Sequence, residues 1–155
     1  MLPHLGFALA VLTAATVFAL LEVQIEGAQG WAAGLPTWKI DNRFTRLLCG
    51  QRPLTGYHFY VHLFVLTMLH LPYALFLVVP SWHAELRLAG FLLLFFITED
   101  FLWFLFNPHF GLGRFRREQI WWHARVWWWV MPRDYWVCSV LGVLLYVLSW
   151  RVGSW

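Results

Sequence analysis

Eight side chains with the chemistry of metal ligands or proton carriers sit in and beside the apolar stretches of this sequence. They are Glu22, Glu26, His58, His62, Glu99, Asp100, His109 and His123. Ionisable groups in lipid are costly, so they face a bundle interior, pair with one another, or bind something. Two of the spacings are four residues, Glu22–Glu26 and His58–His62. Residues at i and i+4 share a helix face, and two such side chains can reach one ion. Carboxylate mixed with imidazole suits iron, zinc or manganese. Di-metal sites in helix bundles are built from carboxylates and histidines projecting inward from several helices. The expected ligands are Glu22, Glu26, His58, His62, Glu99, His109 and His123. Glu26 and Glu99 would be bridging or terminal ligands, with His109 in or beside the first shell. Asp100 is expected as the catalytic group, orienting a ligand or carrying a proton.

The elements that must position these groups are membrane-like. Of 155 residues 61% are hydrophobic and only 12% charged, against roughly half and a quarter in soluble domains. Four apolar segments, about 3–23, 57–79, 86–106 and 135–155, approach the ~20 residues needed to span a bilayer. The fourth is the shortest and leans on interfacial Trp136, Trp150 and Trp155. The expected fold is therefore one all-α integral membrane domain, a four-transmembrane-helix bundle with interfacial amphipathic helices on the cytoplasmic side. The first segment has no Lys or Arg before its apolar run and no small-residue cleavage site, so it reads as a retained helix rather than a signal peptide.

Basic residues set the orientation. Lys39, Arg43, Arg46 and Arg52 lie between the first and second segments, Arg87 alone between the second and third, and Arg114, Arg116, Arg117, Arg125 and Arg133 between the third and fourth. Positive residues stay inside, so both termini are expected outside, in a plasma membrane of bacterial inner-membrane type. This topology brings Glu22, Glu26, His58 and His62 to the cytoplasmic side. Glu99 and Asp100 lie roughly 10 Å above the inner end of the third segment. Residues 41–48 read as a short amphipathic helix with Asp41 as a cap. Residues 116–131 read as an interfacial helix stopped by Pro132. Asn107, seven residues after Asp100, falls on its face and could support the site.

Each feature also has a plain structural reading. Glu22 and Glu26 can snorkel at a helix end, the histidine pair can be interfacial, and Glu99–Asp100 can form a salt bridge to Arg114, Arg117 or Arg125. The two cysteines form no C-x-x-C pair, which argues against thiol–disulfide exchange. On the cytosolic side free thiols are expected. A net charge of +3, dispersed over the loops, gives no reason to expect nucleic acid.

Two short stretches resemble known families. His58–His62 resembles the first histidine box of the di-iron membrane fatty acid hydroxylases and desaturases. It covers five residues, the later His-x-x-His-His boxes are missing, and the family's activity is not carried over. Asn107-Pro108-His109-Phe110-Gly111 is similar to the Pro-centred motif of small membrane methyltransferases, whose C-terminal paired acids are missing.

The favoured function is a metal-dependent membrane enzyme, an oxidoreductase or hydroxylase with iron preferred over zinc or manganese, acting on a lipid or other apolar substrate at the cytoplasmic leaflet. Metal-assisted hydrolysis is the neighbouring possibility. The alternatives are a non-enzymatic accessory subunit of a larger membrane complex, or a b-type haem protein with His62 or His70 as axial ligand. A homo-oligomer fits any of them, and a transporter of four helices without a repeat would need one.

Overall fold

The computed structural model describes residues 2–151. The chain is mostly helical. Four long helices carry it: α1 (Leu2–Glu26), α3 (Gly56–Ala74), α4 (Trp82–Phe106) and α5 (Arg133–Arg151). The six-residue α2 (Arg43–Leu48) lies between two-residue strands β1 (Lys39–Ile40) and β2 (Leu54–Thr55), which pair antiparallel. A second ribbon joins β3 (Trp127–Trp128) to β4 (Met131–Pro132) just before α5.

α4 is the central helix and packs closely on α1 and α5. On α1 the buried residues are Val11, Ala15, Ala19 and Glu22, a single stripe at helical spacing. Ala15 and Ala19 are fully buried, and their small side chains let the α4 backbone approach. On α4, Phe95, Glu99 and Trp103 form the matching stripe. Glu22 and Glu99 thus occupy core positions of their helices. Phe7 meets Phe91 and Phe18 meets Phe95, so α1 and α4 run in the same direction. Gly90 approaches Gly142, and Tyr135 bonds Asp100, so α5 runs the opposite way. His62 stacks on Phe96 while His70 reaches Glu85, which makes α3 antiparallel to α4 as well. This up-and-down course brings the acids and histidines of three helices to one end. There the core closes with Ala19, Trp103, Phe104, Ile120 and Trp122.

Several expectations need correction. Two helices, α1 and α4, are long and apolar enough to cross a membrane. Length and apolarity do not carry four spans, since α3 contains three histidines and α5 includes Arg133, Asp134 and Arg151. The second segment, expected over 57–79, ends its helix at Ala74. Pro72 lies in its last turn, and Phe76 follows in the left-handed region at φ 57°. The third starts earlier, at Trp82, because Ser81 caps it. Residues 152–155 of the fourth segment, with Trp155, lie outside the described residues.

The cap of α2 is Asn42, not Asp41. Asn42 Oδ1 accepts from the Thr45 amide at 2.9 Å and Thr45 Oγ1 accepts from the Asn42 amide at 3.0 Å, a reciprocal capping box. Asp41 is held instead by Arg46. The interfacial helix expected over 116–131 does not form. The segment follows a single-turn 3₁₀ helix, Leu112–Arg114, runs through turns and a second one, Ala124–Val126, and then reverses in the β3–β4 hairpin through Trp129 at φ 53°. A run of Trp loses side-chain freedom in a helix. The hairpin also turns the chain back into α5.

Candidate functional site

Where the four helices meet the connecting segments, a cavity of about 140 Å³ is lined by Glu22, Glu26, His58, His62, Glu99, Asp100 and His123. Its wall is completed by Arg52, Asp134, Trp31, Val61, Phe96, Ile97, Trp103 and Trp122. Of the eight residues singled out in the sequence, seven line this space. The eighth, His109, does not: its side chain is exposed, and its peptide is fixed by Asn107 and Arg114 through N–H and C=O. The turn that follows α4 points it away from the bundle.

α1 supplies Glu22, which accepts a hydrogen bond from Tyr57 O–H at 3.0 Å. One turn on, Glu26 Oε1 accepts from the Ala32 amide at 2.5 Å. That bond anchors an unusual turn, since both Trp31 (φ 47°) and Ala32 (φ 49°) are left-handed without being glycine. Such backbone costs about 1–3 kcal/mol per residue and persists only when its surroundings impose it. Its result here is to lay Trp31 flat on His58, ring centroids 3.9 Å apart, with Trp31 Nε1 donating to the Pro53 carbonyl at 3.0 Å.

α3 supplies the two histidines, each fixed through one nitrogen. His58 Nδ1 lies 2.6 Å from Oγ1 of Thr55, the residue that also caps the helix. Its Nε2 faces Glu26 Oε1 at 3.8 Å. His62 Nδ1 lies 2.6 Å from the His58 carbonyl. A carbonyl only accepts, so Nδ1 carries the proton, and in the neutral ring Nε2 keeps its lone pair.

α4 supplies neighbours with opposite surroundings. Glu99, 5% exposed, stands against Glu22, and its Oε1 has no hydrogen-bond partner among the described residues. Asp100 Oδ2 accepts from Tyr135 O–H and from His123 Nε2 at 3.1 Å. With Nε2–H given to Asp100, neutral His123 presents a lone pair at Nδ1, which is buried and without a partner among the described residues.

The cation of the cavity is Arg52, not Arg114, Arg117 or Arg125. Arg114 and Arg117 bond the carbonyls of His109 and Ala124. Arg125 lines a separate pocket beside Asp41. Arg52 stacks over Trp31 at 3.9 Å, donates Nε–H to the Cys49 carbonyl at 2.6 Å and lies 3.6 Å from Asp134. Burial pulls its guanidinium down from the ordinary value, and the nearby Asp100 and Asp134 act against that. Five carboxylates thus share one wall with one guanidinium.

Asn107 positions the site without lining it. It is 1% exposed, and its Nδ2 donates to the Gly27 carbonyl at 2.6 Å, tying the end of α4 to the end of α1. Trp31, Arg52, Tyr57, Asp134 and Tyr135 are the contributors sequence reasoning missed. Only Tyr57 carried a signal, standing next to His58 at the start of an apolar segment. His70, weighed above as a haem ligand, pairs with Glu85 at the far end of the bundle at 3.4 Å.

The donor types are ones a metal centre uses: oriented imidazoles and an unpartnered carboxyl oxygen. The cage itself is not assembled. Among the described residues no three of His, Cys, Asp and Glu are grouped closely enough to hold an ion. No known protein family, characterised protein or solved structure matches the chain.

Proposed function

We propose that the protein is a membrane-embedded enzyme whose polar cavity binds a metal ion and acts on the polar end of a lipid-like substrate. The observation that carries this reading is the imbalance of five carboxylates against one guanidinium in a space of about 140 Å³. Carboxyl groups crowded at low dielectric take up either a compensating cation or protons. His62 Nε2, His123 Nδ1 and Glu99 Oε1 are the donors left for a cation. The hydrogen bonds that fix the other nitrogens of His62 and His123 are the support metal-bound imidazoles ordinarily have. Glu22, Glu26 and His58 would complete the set after side-chain rotation. A metal there would supply Lewis acidity or, for iron, redox chemistry, and iron remains preferred for a mixed imidazole–carboxylate set. Asp100 would orient His123 and exchange a proton with Tyr135 O–H, while Trp31 and Trp122 exclude water.

The bilayer is part of the same reading. Most outward-facing side chains on the four helices are apolar, among them Leu9, Val17, Leu63, Phe64, Phe101, Val140 and Leu144. So large an apolar exterior calls for lipid around α3 and α5 as well as α1 and α4. Exposed Phe44 and Leu47 on α2 suit a helix lying in the interface.

A second reading is a metal-free acid–base site, favoured by the hydrogen-bonded chain Tyr135–Asp100–His123. Elemental analysis and a visible spectrum of protein purified without added metal separate the two. Bound metal that is lost in Glu99→Gln and His62→Gln supports the metal enzyme. A Soret band would point to haem, and absence of both metal and colour would hand the cavity to acid–base chemistry or to an accessory role.

A further inference from the structure

On the outer flank of α3 lies a groove of about 350 Å³ bounded by Cys49, Leu54, Phe59, Leu63 and Leu66. It is within the ~300–1,000 Å³ of small-ligand sites. Its inner end is made of Trp31, Arg52, His58 and His62, and all four also line the polar cavity. The groove and the cavity are therefore two sides of one partition.

The charge of the two sides differs. The cavity wall contains five carboxylates, whereas the groove wall contains none, and Arg52 is its one formal charge. Arg52 has five N–H donors. The Cys49 carbonyl takes one, and Asp134 stands 3.6 Å from another nitrogen. Trp31 beneath the guanidinium fixes its plane. Beyond Arg52, Phe59 and Leu63 leave 44% and 49% of their surface open. An apolar trough that ends in one oriented cation matches one chain and one anionic head. A head with more negative charge would face the carboxylates behind the partition, and a cationic head would face Arg52.

We infer that this groove is the substrate entrance, and that it takes a single-chain amphiphile with a monoanionic head. The head meets Arg52 and the chain lies along Phe59, Leu63 and Leu66. The inference rests on the lipid-like substrate proposed above, but not on the metal. His58 and His62 form the partition that the atoms next to the head would touch.

Native Cys49 in the groove provides the readout. In a Cys138→Ser background in detergent, maleimide alkylation of Cys49 is timed with hexadecyl sulfonate, hexadecanol or hexadecyltrimethylammonium. A sulfonate stays ionised and is a weak metal ligand, so its binding is independent of bound metal. The sulfonate should slow alkylation severalfold more than the alcohol, and the ammonium should not slow it. Arg52→Gln should bring sulfonate and alcohol level, and Arg52→Lys should restore part of the difference. Leu63→Trp, which fills the trough, should abolish protection by every chain while metal content stays as in the parent. Protection by the ammonium equal to that by the sulfonate, protection by none, or a preference that survives Arg52→Gln would overturn the assignment. The expected protection pattern supports the groove whether or not metal is bound; metal content of the purified protein, measured separately, decides the metal reading alone.

Discussion

Adjacent residues Glu99 and Asp100 should answer removal with opposite signs. Glu99 is 5% exposed, and its Oε1 has no hydrogen-bond partner among the described residues. A buried unsatisfied polar atom costs about 1–3 kcal/mol, and the facing carboxyl of Glu22 adds to that. Methionine keeps the length of the side chain and removes the oxygen. In metal-stripped protein Glu99→Met should therefore gain about 1–3 kcal/mol while losing whatever the cavity does. Asp100 holds both Tyr135 O–H and His123 Nε2. Hydrogen bonds to a charged group contribute about 1.5–3 kcal/mol each, and Asp100→Ala strands both donors. Because 30% of the Asp100 side chain is accessible, water recovers part of the loss, leaving about 3 kcal/mol. The assay is unfolding by SDS titration in mixed micelles, with chelator present. A loss of stability in Glu99→Met, or a neutral Asp100→Ala, would refute the assignment of strain to one carboxylate and of structural hydrogen bonding to the other.

Other consequences are independent of it. Asn42→Ala breaks the capping box of α2 and should cost about 1 kcal/mol, read by the same titration. A Cβ at Gly90 would stand 2.8 Å from the Gly142 carbonyl oxygen, so Gly90→Leu should cost about 1–3 kcal/mol by prising α4 from α5, whereas Gly6, with nothing within 4 Å, should accept Ala freely. His109→Ala should leave metal content unchanged, because His109 is exposed outside the cavity; a loss comparable to that of His62→Gln would place it back in the ligand set. A cysteine introduced beside His83 should react with an external reagent in intact cells and one beside Arg114 should not; the reverse pattern would invert the proposed orientation.

The convergence of Glu22, Glu26, His58, His62, Glu99 and Asp100 was legible because it depends on two robust signals. One is the place of an ionisable residue within an apolar run, and the other is the alternation of helix direction from one long helix to the next. His123 was legible as a candidate, but not the backbone that presents it. A Trp-rich stretch reads as amphipathic helix until the hairpin at 127–132 is seen. Arg52 and Tyr135 were not legible as site residues. Arg52 comes in through the β1–α2–β2 excursion, and Tyr135 reaches Asp100 from 35 positions away; neither contact has a local spacing to betray it. The left-handed pair Trp31–Ala32 was invisible for a related reason. The Glu26 carboxyl, the Pro53 carbonyl and the His58 ring hold that turn from distant positions, and no sequence preference announces it.

X-ray absorption spectroscopy of iron(II)-reconstituted, desalted protein reads the ligands of the cavity itself. Retained iron in a mixed nitrogen–oxygen shell with outer-shell imidazole scattering is the expected result. That scattering should diminish in His62→Gln and again in His123→Gln. Iron that washes out on desalting, or a shell of oxygen alone that neither substitution changes, would contradict the metal reading.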